Sequence, residues 1–197
     1  MPRGRPRQFD EDTALTAAMH LFWEKGLSAT SLDDLEAAMG MKRPSIYLAF
    51  GDKEALYRTA LERFCGQLTA GVDEVLEGSQ PLRPALVAFY DRAIDVYTAT
   101  EPSMGCLMVC TAPAEALVRP EVGSDLAALL ARLDRAFARR LRRAMEEREL
   151  PPDIAPELTA QLLQATLQTV ALRARAGASK RSLRKLTRHA VERLTRS

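Results

Sequence analysis

The chain has 197 residues, 47% of them hydrophobic and 27% charged, with a formal net charge of +2. That is too apolar for a disordered chain, and its longest apolar run, GCLMVCTAPA from Gly105, falls far short of the roughly 20 residues that span a bilayer. The start, MPRGRPRQFDED, lacks the apolar core of a secretion signal, and three cysteines without framework spacing fit a reducing compartment, so the expectation is a cytoplasmic protein with no membrane contact.

Almost every segment carries the helical period, and no run alternates apolar and polar as a strand does. Asp10 is placed to cap a first helix with Leu15, Ala18 and Phe22 on its inner face, stopped at Gly26. In TSLDDLEAAMG, Ser31 and Asp34 make a capping box ahead of Leu35 and Met39, and Gly40 closes this short second helix. A third helix spans Lys42 to about Ala49. It contains Pro44, which is tolerated only in an opening turn, where its missing N–H has no intrahelical partner. After Gly51 and Asp52 a long fourth helix, 53–77, carries Leu56, Ala60, Leu61, Phe64, Leu68, Val72 and Val75.

Beyond EGSQPLRP the helices lengthen: about 82–98 with Leu86, Phe89, Ala93 and Tyr97, an apolar helix around Cys106 with a break near Pro113, and 124–149 with Leu126, Leu130, Leu133, Phe137, Leu141 and Met145 on one face. Two more follow, 156–175 and 179–196, with Ser179 as a cap. The expected fold is all-α: a basic arm at 1–8, a three-helix unit at 9–53, the connecting helix, and a larger six-helix domain at 80–197.

The two short helices at 31–50, joined by a glycine turn and locked by Leu32, Leu35, Met39, Met41 and Ile46, form a helix-turn-helix pattern. Its second helix would offer Arg43, Pro44, Ser45 and Leu48 to base edges, Arg43 suited to guanine and Ser45 able to donate or accept. Tyr47 and Lys53 are placed for phosphates, and helix N-terminal amides add a positive field. Spacing alone leaves a purely structural helix pair equally open. The charges agree with a nucleic-acid surface in being focused rather than abundant, since residues 1–53 hold seven Lys/Arg against eight acids, with the cations gathered in the first seven residues and around 42–53.

Residues from about Gly4 to Phe64, through LFWEKG, ATSLDDL and YLAFGDKEAL, resemble the N-terminal domain of TetR-family transcriptional regulators. The resemblance implies a homodimeric regulator, a repressor before an activator, that binds a palindromic double-stranded DNA operator and is released by a small-molecule effector in the C-terminal domain. It makes Lys42 to Leu48 the recognition helix, Tyr47 and Lys53 the phosphate contacts, and Thr30 and Ser31 the polar entry to the preceding helix. Two positions depart from the family: Glu36 where a small residue is usual, and Pro44 where glycine is frequent.

PRGRPR, with Arg3, Arg5 and Arg7, resembles an AT-hook, and arginine meets an enhanced negative potential in narrow A·T minor grooves. An architectural minor-groove binder acting through this arm is therefore an alternative. Phe89, Tyr90, Tyr97, Met104, Cys106 and Met108 are pocket candidates, though each also suits an ordinary core. Cys106 and Cys110 share a helix face, and with Cys65 leave open a thiol that senses oxidants or electrophiles. With His20 and His189 remote in sequence, no metal or other cofactor is expected. Seven arginines between 130 and 148, and nine basic residues against Glu192 between 173 and 196, read as solvated helix faces, with an anionic partner as the sharper option. Leu158, Leu162, Leu183, Leu186 and Val191 lie between these faces, and the family's dimer interface falls on the last two helices. No phosphate loop, nucleophile elbow or metal quartet supports an enzyme.

Overall fold

A computed structural model describes residues 10–196, apart from the side chains at 72 and 73. The arm of Arg3, Arg5 and Arg7 lies outside the described residues. Among those described run nine helices and no strand: α1 (Glu11–Ala29), α2 (Leu32–Met39), α3 (Arg43–Phe50), α4 (Lys53–Leu76), α5 (Leu82–Tyr97), α6 (Leu107–Ala116), α7 (Pro120–Glu146), α8 (Pro156–Arg175) and α9 (Lys180–Leu194).

The chain divides into two compact units, one up to Arg63 and one from Phe64. The first therefore takes in the opening half of α4, past the border at 53 read from the sequence. The reason is packing: Leu56, Tyr57 and Ala60 are buried, Tyr57 meets Phe22 of α1 edge-on at 5.2 Å, and Arg63 Nη1 donates to the Asp12 carbonyl at 3.2 Å. Asp10 caps α1, its carboxylate accepting the Asp12 N–H at 3.2 Å. Gly26 breaks the helical path at φ 78°, and the chain continues through one more turn to Ala29 instead of stopping there. The Ser31–Asp34 capping box forms in full: Asp34 N–H to Ser31 Oγ at 3.1 Å and Ser31 N–H to Asp34 Oδ2 at 3.0 Å.

In the second unit α8 is the central helix, packed on α5, α6, α7 and α9. It buries Leu163, Leu167, Val170, Ala171 and Ala174, the alanines letting neighbouring backbones approach. Gly105 marks the tightest approach: a Cβ there would lie 2.4 Å from the Ala171 carbonyl oxygen, and its φ is +69°. Phe89 joins α5 to α7 through an edge-to-face contact with Phe137, centroids 5.1 Å apart.

The break expected near Pro113 does not occur. α6 runs through it to Ala116, because Pro113 sits on the solvent side, where water can meet the carbonyl its missing N–H leaves unbonded. α7 starts at Pro120, four residues before the sequence reading, with proline in its opening turn.

The α7 arginines are structural as well as solvated. Arg143 donates to the carbonyls of Leu76, Glu77 and Gly78 at the end of α4, at 3.3, 3.0 and 2.6 Å, a cation at the negative end of a helix. Arg140, only 3% exposed, donates to the Gln80 carbonyl at 2.8 Å. On the other side, Asp91 and Asp95 of α5 pair with Lys180 and Arg184 of α9, each closest approach being 3.1 Å.

Candidate nucleic-acid interface and effector domain

α3 buries one residue completely, Ile46, and turns the rest of its length outward. Lys42, Arg43, Pro44, Tyr47, Leu48 and Ala49 are all exposed, and Ser45 is half-buried. Leu48 is 90% exposed, an apolar side chain that nothing in its own unit covers. Pro44 occupies the opening turn, after the N-cap Lys42, which answers the question its position raises: it fixes φ without removing a helical bond.

The charges around α3 are arranged by α2. Arg43 pairs with Asp33, and its Nε lies 3.4 Å from Glu36. The Asp33 hydrogen bond, then its charge, with Glu36 behind them, raises the guanidinium further above its ordinary pKa. Glu36 Oε1 also accepts the Arg43 backbone N–H at 2.9 Å. The glutamate that departs from the family pattern is thus the side chain that caps α3. It places a carboxylate where the helix N-terminus was expected to attract phosphate.

Two expected DNA contacts turn inward. Thr30 is 1% exposed, and its hydroxyl donates to the Gly26 carbonyl at 2.6 Å. Lys53 donates from Nζ to the carbonyls of Leu27 at 3.0 Å and Thr30 at 2.8 Å. An ammonium at the first residue of a helix meets an unfavourable dipole, so it reaches instead to the carbonyls where α1 ends. Ser31 remains at the surface but is engaged in its capping box. Lys25 Nζ donates to Asp34 at 2.9 Å. That bond first, with those from Ser31, holds the Asp34 carboxyl well below the usual carboxylate range.

Of the pocket candidates, Phe89 borders a cavity. It measures about 160 Å³ and is lined also by Phe64, Leu68, Ala93, Val96 and the polar Gln67 and Arg92. Tyr90 is buried, with its hydroxyl donating to the Leu163 carbonyl at 2.7 Å. Tyr97, Cys106 and Met108 are buried too, and Met104 is half-buried. The cavity residues Gln67, Gly71 and Arg92 carry no apolar pattern in the sequence; their one local signal is Gly71, a glycine inside a helix.

The three cysteines are free thiols. Tyr97 and Cys106 share a hydrogen bond in the core, and burial pushes the Cys106 thiol up to about 11. Cys110 is half-buried near Arg175, and burial, the larger influence, raises its pKa as well. Neither is a lowered-pKa thiolate of the kind that reacts readily. Among the described residues no group of His, Cys, Asp or Glu is assembled to hold a metal ion, and no helix is long and apolar enough to cross a membrane.

Leu158 and Leu162 of α8 are exposed, and Leu172 continues their stripe three turns on. Leu183 and Val191 are different: both are buried within the protomer, because the inner face of α9 packs on α5 and α8. They are therefore unavailable to a partner. Leu186 is half-buried.

Two family models match the chain: bacterial regulatory proteins, tetR family, over residues 14–60, and tetracyclin repressor-like, C-terminal domain, over residues 83–190. The HTH-type transcriptional repressor ComR of Escherichia coli (strain K12) is 31% identical over 178 residues, covering 90% of this chain and 85% of that protein. The HTH-type transcriptional repressor BdcR of the same strain is 31% identical over 106 residues, 54% of each. Among solved structures, a cysteine mutant of the TetR family transcriptional regulator CifR, complexed with 26-bp double-strand operator DNA, is 32% identical, covers 96% of this chain and 98% of that one, and superposes with a TM-score of 0.85.

Proposed function

Since this chain belongs to the TetR family of transcriptional regulators, we propose that it is a homodimeric repressor that releases its operator when a small molecule enters the second unit. The observation that carries this reading is α3: one buried residue anchors it, while Arg43, Pro44, Tyr47 and Leu48 face solvent. In a major groove, Arg43 exchanges Asp33 and Glu36 for a guanine edge. Exposed ion pairs are worth about 0–1 kcal/mol, so the exchange costs little. Leu48 and Pro44 suit thymine methyl groups, Ser45 a base edge, and Tyr47 and Lys42 the phosphates. The arm, with Arg3, Arg5 and Arg7, adds minor-groove contacts.

Dimerisation is supported by the α8 stripe. Leu158, Leu162 and Leu172 recur at i, i+4 and i+14, with the exposed Ala165 and Thr169 between them. That is one helix face, suited to packing on its two-fold copy. Two α3 helices would then enter successive major grooves about 34–36 Å apart. α4 supplies the linkage, since this single helix has residues in both units. A ligand that shifts its second half would tilt Lys53 and alter the half-site spacing. The names of ComR and CifR support repression and operator binding respectively.

Selection of preferred sequences from a random duplex pool by the full chain tests this. A two-fold symmetric site is the expected outcome. Recovery of nothing beyond A·T-rich DNA would overturn it and make the arm the principal binding element.

A further inference from the structure

Building on the regulator reading, we infer that the effector is a small aromatic monocarboxylate, held between the second half of α4 and α5 with its ring in the cavity and its carboxylate on Arg92. Residues of α4 and α5 together line a cavity of about 160 Å³. Dry apolar cavities of about 150 Å³ accommodate one benzene ring, so the volume limits the ligand to a single ring with a short substituent. Phe64 and Leu68 from α4 and Phe89, Ala93 and Val96 from α5 supply the apolar walls. The two phenylalanines favour an aromatic ligand, which gains edge-to-face or offset contacts beyond its buried area.

The charge of the ligand follows from Arg92. Its guanidinium lies over Gly71 of α4, where a Cβ would come within 3.0 Å of Nε and 3.1 Å of Cζ. A side chain at 71 would press on it, so glycine lets it lie close against α4. Nη1 donates to Glu74 at 2.8 Å, and both partners are more than half exposed. A solvent-exposed pair of this kind contributes little and exchanges readily. A carboxylate on a ring already seated in the cavity is delivered to the same guanidinium, which can take it through two parallel N–H donors. Gln67, exposed at the rim, is neutral and can bond the second oxygen or its hydration. Glu74 is the acid this cation already neutralises, so a cationic ligand would have to compete with Arg92 for it. Because the ring bridges α4 and α5, its arrival acts on the helix that begins at Lys53.

Calorimetric titration of the full-length protein with benzoate, benzyl alcohol and acetate tests the inference without DNA present. Benzoate is expected to bind at least about tenfold more tightly than benzyl alcohol, the factor one charge-assisted contact provides, and acetate more weakly still. Arg92→Gln should bring benzoate down to the level of benzyl alcohol. Gly71→Ala, which presses a methyl group on the guanidinium, should weaken benzoate to a smaller extent than Arg92→Gln, with helicity by circular dichroism intact because alanine favours the helix. Benzyl alcohol binding as well as benzoate, or benzoate affinity unchanged in Arg92→Gln, would overturn the anionic assignment. Absence of binding by all three probes would overturn the site. A parallel operator titration separates this from the regulator reading: benzoate held through Arg92 with operator affinity unmoved would sustain the site and sink its regulatory role.

Discussion

Replacing Lys53 with methionine separates two roles that the sequence alone cannot tell apart. As a phosphate contact, Lys53 would contribute to DNA affinity and little to stability. As placed here, its ammonium bonds the carbonyls of Leu27 and Thr30 at 3.0 and 2.8 Å, pinning α4 to the turn between α1 and α2. Methionine keeps the apolar stem but leaves both carbonyls without this donor. Hydrogen bonds to a charged group contribute about 1.5–3 kcal/mol each; with part of the site open to water, the pair amounts to about 2–3 kcal/mol. Urea unfolding followed through Trp23, buried in the first unit, should show a loss of that size. The salt dependence of operator binding should keep its slope. Lys42→Met is the control: exposed at the start of α3, it should leave stability unchanged and lower the slope by about 0.9 per protomer. If Lys53→Met instead leaves the unfolding midpoint in place and lowers the slope as Lys42→Met does, the pin is wrong and Lys53 belongs to the DNA surface.

The remaining predictions address other parts of the molecule. Leu158→Glu combined with Leu162→Glu places charges on the α8 stripe, so sedimentation should shift from dimer to monomer with helicity unchanged; a dimer that persists would move the interface elsewhere. Asp34 has its pKa depressed in the fold by Lys25 and Ser31, so its contribution is present above the unfolded value near 3.8 and is lost as pH falls through the lower folded value. Wild type should accordingly lose more stability than Asp34→Asn on acidification below about pH 4, as read by denaturant midpoints; parallel curves would refute the linkage. Cys106, buried and pushed up to about 11, should alkylate with iodoacetamide at pH 7.5 at least tenfold more slowly than the half-buried Cys110, by mass spectrometry of the native protein. Comparable rates would reopen thiol sensing.

Much of this molecule was legible in its sequence because the signals are local. The helical period, the Ser31–Asp34 box, the stop at Gly40 and the placement of Pro44 each depend on residues within a turn or two of one another, where backbone sterics and capping decide the conformation. They suffice for an all-helical chain, for the helix-turn-helix, and for an exposed face on α3 that includes Leu48. What only the tertiary structure decided is where long polar side chains reach and which apolar faces are already covered. Lys53 looks like a surface residue until the end of α1 arrives beside it. Glu36 becomes a cap only because α3 begins next to it. Leu183 and Val191 have the spacing of an interface, but α5 and α8 bury them first, leaving the stripe on α8. Gln67, Gly71 and Arg92 form a cavity wall because α4 and α5, apart in the chain, meet around one space. Local chemistry fixes each helix; the meeting of distant segments determines which of its side chains remain free to act.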